Sequence, residues 1–369
     1  VSRLADHYAA VQERRDLEQP DRARWRGIDP AVVRRFVAVD DPIVVDGANR
    51  RPTLVCMGVS TTGPPHLGTV GQFRTAIALQ RAGLDVQFVL ADLEPYHGGG
   101  NAERIDRLAG RYRSFALDLG FDPDAGTLRT QSEATDVMAT GHRLARYYDP
   151  DAWSEDRDGS ETAWERAVEA MYEAATSGTA EQRAATDART DDAAAGEADA
   201  DPDRAPARTS EAADAHSAVL HGADFLHPLL EGEYDQVLLT FGVDEHGLVP
   251  WTRRFREAAG VPGRVGGLLT RMVPGFGDVP KQSKSIGAGV PLDGDPDEIR
   301  ERIATAPDAA DPAASTVFQA MALASAYDAE RLDALESACR AGGSAWTTAR
   351  REYGTDVADL AERWQRTAE

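Results

Sequence analysis

The sequence predicts an α/β protein, a doubly wound parallel sheet followed by a small helical domain. Three observations predict it. Apolar runs of buried-strand length occur at 53–59, 86–92, 236–241 and 267–273. Helical stretches with Pro or Asn at their start and Gly past their end separate these runs. Beyond Asp295-Pro296 only helical apolar repeats remain, near 315–325, 329–340 and 355–364. At 369 residues the chain is long enough for a large core and two domains.

Each element has its own warrant. Residues 1–50 carry helical patterning around Leu4, Tyr8 and Val11, then an arginine-rich run at 22–26, then Val32, Val33 and Phe36. They predict a helical leader packed on the main domain. Thr53 to Val59 is the first strand, and a helix should follow from Pro65 to Arg81, stopped by Gly83. Val86 to Asp92 is the second strand. The next helix runs from Ala102 to Leu119, capped by Asn101 and stopped by Gly120. Thr127 to Gln131 is a third strand, with helical segments near 133–148 and 161–175. From Glu173 to Ala218 there is no Val, Ile, Leu, Met, Phe, Trp or Tyr. Such a stretch cannot bury enough apolar surface to offset its ordering entropy, which predicts a disordered acidic insertion at 176–217. Order should return at Val219 with a short helix, then a strand at 236–241, a helix from Val249 to Ala259 and a last strand at Gly267–Val273. The expected domains are thus a leader at 1–50, a catalytic domain at 51–295 and a helical domain at 296–369.

Composition narrows the function. A net charge of −22 argues against a polyanionic partner held by bulk charge. The same Asp-rich, lysine-poor composition suits a protein working in very high salt, where the Debye length is a few Å and local arginine clusters outweigh net charge. Cys56 and Cys339 are too few and too distant for a disulfide framework or a metal knuckle. His221 and His227 lack a third ligand, so no metal site of the protein's own is expected. No apolar stretch reaches membrane-helix length and no signal-peptide pattern opens the sequence, so a cytoplasmic protein without a membrane partner is expected.

The chemistry should lie outside the carboxyl ends of the strands. The Gly63-Pro64-Pro65 turn feeds a helix N-terminus, where backbone N–H groups and the dipole favour phosphate. His66 and Thr69, three apart in the first turn, could both donate to phosphoryl oxygens, and Gly68 would let a flat base approach the backbone. Asp244, at a strand end beside Gly242, is placed either to accept from ribose hydroxyls or to cap the next helix. The only two lysines are Lys281 and Lys284; the other 38 basic residues are arginine. A chain so biased should keep lysine where a compact, mobile ammonium is needed, as on a moving phosphate.

Taken together these segments carry a family resemblance. His66-Leu67-Gly68-Thr69 resembles the first signature (HIGH) of class I aminoacyl-tRNA synthetases, and Lys281-Gln282-Ser283-Lys284-Ser285 resembles the second (KMSKS). Ala91 to Tyr96, and Gly242-Val243-Asp244-Glu245 with the later Thr252-Arg253, are similar to the tyrosyl/tryptophanyl branch, tryptophanyl by pattern. The resemblance implies a Rossmann-like, HIGH-type nucleotide-binding domain. It implies activation of tryptophan or tyrosine by ATP, with Mg²⁺ carried on the triphosphate and pyrophosphate, and transfer to tRNA by an enzyme that is typically a homodimer. By matching position His66, Thr69, Lys281 and Lys284 would be catalytic. Gly63, Gly68, Gly242, Asp244, Ser283 and Ser285 would bind ATP, and Cys56, Asp92, Glu94, Glu231 and Glu245 would bind the amino acid.

Three positions depart from the family pattern. Thr69 replaces a second histidine, Glu231 and Glu245 stand where Gln is usual, and Cys56 stands where Tyr is usual. Two rival readings follow from the same residues. One is a paralogue that adenylates an amino acid or similar small molecule without charging tRNA. The other is a silent module that only binds ATP or tRNA.

Overall fold

The computed structural model describes residues 3–21, 25, 28–48, 50–157, 162–177, 210–276, 280–283, 289–307 and 309–368. Among the described residues six strands form one sheet: β1 (Phe36–Asp40), β2 (Thr53–Ser60), β3 (Asp85–Ala91), β4 (Gly126–Thr130), β5 (Gln236–Gly242) and β6 (Arg264–Thr270). Their order is β1-β6-β5-β2-β3-β4. All neighbours are parallel except β1 and β6. The chain winds outward from β2 through β3 to β4, then returns to β5 on the other side of β2. Strand order therefore reverses between β2 and β5, which opens a crevice at their carboxyl ends.

Alternation along the central strands explains why both faces are covered. Val55 and Met57 of β2 face one apolar core, with Val86, Phe88 and Leu90 of β3. Leu54 and Cys56 face the other, with Val237, Leu239 and Phe241 of β5. On the first face the Leu67–Arg81 helix brings Phe73 into a stack on Phe88, ring centroids 4.6 Å apart. The Ala102–Leu119 helix adds Tyr112 and Phe115. Asn101 caps that helix through Arg104 N, and Gly120 ends it with φ 103°, as its sequence predicts. On the second face lie the Glu211–Leu230 and Leu248–Ala258 helices.

The C-terminal helices share the first core. Trp364 meets Tyr112 and Phe115 edge-on at 5.2 and 5.6 Å. The Thr316–Ala324 helix lies against the Leu67–Arg81 helix so closely that a Cβ on Gly71 would sit 2.4 Å from Leu323 Cγ. The C-terminal helices are therefore packed onto the first face of the sheet and share its core.

Two expectations change. The leader at 1–50 is not all helical, because Phe36–Asp40 forms the antiparallel edge strand β1. A five-residue run with one charged end gives little periodicity, and pairing with β6 decides its conformation. The helix expected from Val219 begins at Glu211, where Ser210 Oγ accepts from Ala213 N. That cap and the alanine-rich first turns extend the helix into the stretch expected to be disordered. Within that stretch, residues 178–209 lie outside the described residues. Among the described residues no helix is long and apolar enough to cross a membrane.

Gly71→Ala should lower stability by about 1–3 kcal/mol, because Leu323 is buried and must leave its rotamer to admit a methyl. Urea denaturation measures it; an unchanged midpoint would mean that the two helices are not in contact.

Candidate active site

The segment leaving β2 turns through Thr61–Pro65 into the Leu67–Arg81 helix. Tyr112 Oη donates to the Gly63 carbonyl at 2.8 Å and so pins the turn. His66 is the N-cap, with extended backbone (φ −117°, ψ 179°), and its Nδ1 accepts from Thr69 N at 3.3 Å. This corrects the expectation that His66 lies in the first turn: the helix starts one residue later, because the imidazole serves as the cap acceptor. An Nδ1 that accepts leaves the ring proton of the neutral imidazole on Nε2. A Cβ on Gly68 would stand 2.8 Å from His66 Cε1, so glycine at 68 is what lets this ring fold over the helix start.

The segment leaving β5 makes a short 3₁₀ turn at Val243–Glu245. Asp244 Oδ2 accepts from Lys281 Nζ at 2.9 Å, with the two side chains 19% and 15% exposed. A Cβ on Gly242 would lie 2.4 Å from Asp244 Oδ1, so only glycine leaves room for that carboxylate. Burial opposes the charge on Lys281, but Asp244, Tyr172 and Glu245 outweigh it and hold the ammonium above its usual range.

The Ala163–Ser177 helix grips the lysine segment from outside. Tyr172 places its ring 5.5 Å from Lys281 Nζ and its hydroxyl 3.0 Å from Ser283 Oγ. Trp164 Nε1 donates to the Pro280 carbonyl at 3.4 Å. His7, on the N-terminal helix, stacks on Trp164 at 4.4 Å. On the far side of the segment, Leu292 N donates to the Pro65 carbonyl at 2.9 Å. The chain after the lysines therefore returns to the helix that His66 caps.

A cavity of about 450 Å³ joins these pieces. His66, Gly68, Thr69, Glu94, Gly242, Asp244, Glu245, Lys281 and Ser283 all line it. The rest of its wall includes Met57, Val89, Phe225 and Phe241, together with Gln131 and Asp224. Asp224, 4% exposed, accepts from Arg129 Nη2 at 2.7 Å and from Gln131 Nε2 at 2.8 Å. Burial pushes its carboxyl group up, and Arg129 and Gln131 offset this only in part. An adjoining cavity of about 750 Å³ shares Glu94, Gln131, Asp244, Glu245 and Lys281, and adds Glu165, Glu169, Asp214 and His246. His246 Nδ1 lies 3.0 Å from the Val243 carbonyl, and burial holds its pKa down at about 4, so the ring is neutral near pH 7.

Four expected site residues lie off the cavity wall. Gly63 acts through its carbonyl on Tyr112. Cys56 is fully buried in the core on the second face. Asp92 accepts from Gln131 N at 2.9 Å and from Ser132 N at 3.1 Å, which ties the end of β3 to the loop after β4. Glu231 is an exposed residue at the C-cap of the Glu211–Leu230 helix. Lys284 and Ser285 lie outside the described residues. The sequence reading passed over Asp224, Gln131 and Tyr172. Asp224 had a signal, a lone carboxylate between Ala223 and Phe225 in an apolar helical stretch. Tyr172 had none.

Comparison with known proteins gives a consistent picture. A family model described as tRNA synthetases class I (W and Y) matches residues 48–147. No curated protein matches the sequence. The solved tryptophanyl-tRNA synthetase from Aeropyrum pernix is 18% identical, covers 98% of this chain and 94% of its own, and superposes with a TM-score of 0.65. The tryptophanyl-tRNA synthetase from Encephalitozoon cuniculi bound to tryptophan is 14% identical, with 98% and 95% covered and a TM-score of 0.65. The tyrosyl-tRNA synthetase from Archaeoglobus fulgidus complexed with L-tyrosine is 16% identical, with 91% and 97% covered and a TM-score of 0.62. The chain therefore has the fold of the tryptophanyl- and tyrosyl-tRNA synthetases, and residues 48–147 carry the sequence pattern of that class I family.

Proposed function

We propose that this protein activates an amino acid with ATP, tryptophan by its motif pattern, and transfers the aminoacyl group to tRNA in the cytoplasm. One observation carries the reading: a single cavity is lined by the His66 helix start, by Asp244 and Lys281, and by an apolar wall with two phenylalanines. The first three suit a nucleoside triphosphate and the last suits an aromatic side chain.

In this reading a substrate carboxylate oxygen attacks the α-phosphorus and the bond to the β-phosphoryl oxygen breaks, releasing pyrophosphate. The protein contributes position and charge. His66, its Nδ1 engaged by Thr69 N, donates from Nε2 to a phosphoryl oxygen. Gly68 and the helix N-terminus take the base and phosphates, and Asp244 accepts from the ribose hydroxyls. For that, Lys281 must leave Asp244 and follow the β- and γ-phosphates, joined by Lys284. Glu94 and Glu245 face the amino acid and offer its ammonium two acceptors. Among the described residues no three His, Cys, Asp or Glu side chains converge to hold a metal ion. Mg²⁺ would enter on the triphosphate and neutralise charge on the leaving pyrophosphate.

A second reading, adenylation without charging of tRNA, draws support from the adjoining cavity. Beyond the residues the two cavities share, Glu165, Glu169 and Asp214 line it, carboxylates that disfavour the phosphodiester end of an RNA.

ATP–pyrophosphate exchange over all amino acids, with tRNA charging in parallel, separates the readings. Exchange with tryptophan together with charging is expected. Exchange without charging favours the second reading, and exchange with no amino acid overturns both. A double-mutant cycle on Lys281→Met and Asp244→Asn should give a coupling of about 1–3 kcal/mol in urea denaturation. A coupling near zero would mean that the pair does not form in solution.

A further inference from the structure

The Ala163–Ser177 helix ties the N-terminal helix to the lysine segment. Its start carries a reciprocal cap: Thr162 N donates to Glu165 Oε2 at 2.6 Å, and Glu165 N donates to Thr162 Oγ1 at 3.1 Å. The N-terminal helix, Arg3–Arg15, grips that cap. Arg14 Nη2 donates to Glu165 Oε1 at 3.1 Å, and His7 Nδ1 lies 3.1 Å from Thr162 Oγ1. His7 also stacks on Trp164, which is 4% exposed. From this anchored end the helix runs past both cavities. Trp164, Val168 and Tyr172 recur at helical spacing on one face. Trp164 and Val168 line the larger cavity and Tyr172 the smaller, while Lys281 lines both.

That face holds the lysine segment at three points: the Pro280 carbonyl, the Lys281 ammonium and the Ser283 hydroxyl. All three contacts are made with Lys281 Nζ on Asp244. We propose that this helix is an autoinhibitory strap: Trp164 and Tyr172 keep the Lys281 segment in its resting position, and nucleotide must break their hold to enter. The inference rests on the reading that Lys281 leaves Asp244 for a triphosphate. An ammonium that makes this move gives up the ring beside it, and a segment that moves with it gives up the bonds to Ser283 and Pro280. Apparent affinity falls in proportion to the fraction of molecules already released.

The test compares wild type with Tyr172→Leu, which keeps an apolar side chain and removes both the ring and the hydroxyl. The sequence has only two lysines, so acetylation by N-hydroxysuccinimidyl acetate, read by peptide mass spectrometry, follows Lys281 with no ligand present. Calorimetry gives the Kd for ATP. The variant is expected to acetylate at Lys281 about 5- to 30-fold faster and to bind ATP more tightly by a similar factor. A tyrosine that only supported the fold or the bound nucleotide would give weaker ATP binding when removed, the opposite sign. Unchanged acetylation would overturn the proposal. So would faster acetylation with ATP bound equally or more weakly, because the restraint would then not be set against nucleotide. If neither protein binds ATP while the variant exposes Lys281, the adenylation reading fails and the restraint stands. Should Tyr172→Leu not fold, Trp164→Phe keeps a ring on His7 and loses the N–H to Pro280. A smaller change in the same direction is expected there, and no change would overturn the proposal.

Discussion

An ion pair closes the crevice at the centre of this protein. Lys281 and Asp244 come from segments 37 positions apart in the chain and meet where strand order reverses. Each is largely withdrawn from water, and each makes the other tolerable there. Asp244 can sit at the strand end because Gly242 leaves it room, and Lys281 can reach it because Tyr172, Trp164 and Pro65 hold its segment on two sides. Gly68 and His66 line the same cavity, and Gly63 braces the turn that leads to them. In the proposed function the pair is a resting contact: the ammonium covers the carboxylate until a ribose takes its place.

Much of the fold was legible because its strands are buried on both faces and so read as short apolar runs. Four of the five parallel strands lie within a few residues of where apolar runs place them, and β4 lies one residue from the expected Thr127–Gln131. Gly83, Gly120 and Gly260 each adopt positive φ just past a helix, the use to which glycine is best suited. The edge strand β1 was not legible, since only its partner β6 distinguishes it from a turn of helix. Nor was the docking of the C-terminal helices, since Gly71 and Leu323 are 252 positions apart and nothing local marks either as a contact.

The site divides along the same physical line. Groups that act through local geometry could be found in the sequence: a helix start after a glycine–proline turn, a carboxylate after a strand-ending glycine, lysine in an arginine-rich chain. Groups that act through long-range packing could not. Asp224 accepts from both Gln131 and Arg129, and these three come from two distant stretches. Asp92 and Cys56 were named by resemblance, and the structure gives them the work of bracing β3 and filling the second core.

The central claim is that a nucleoside triphosphate occupies the crevice between the helix that His66 caps and the Lys281 segment. A crystal structure with a non-hydrolysable ATP analogue tests it most directly. The account predicts ribose hydroxyls on Asp244, phosphate oxygens within reach of His66 Nε2, and Lys281 Nζ moved from Asp244 onto the phosphates. Nucleotide bound elsewhere, with the Lys281–Asp244 contact intact, would contradict it.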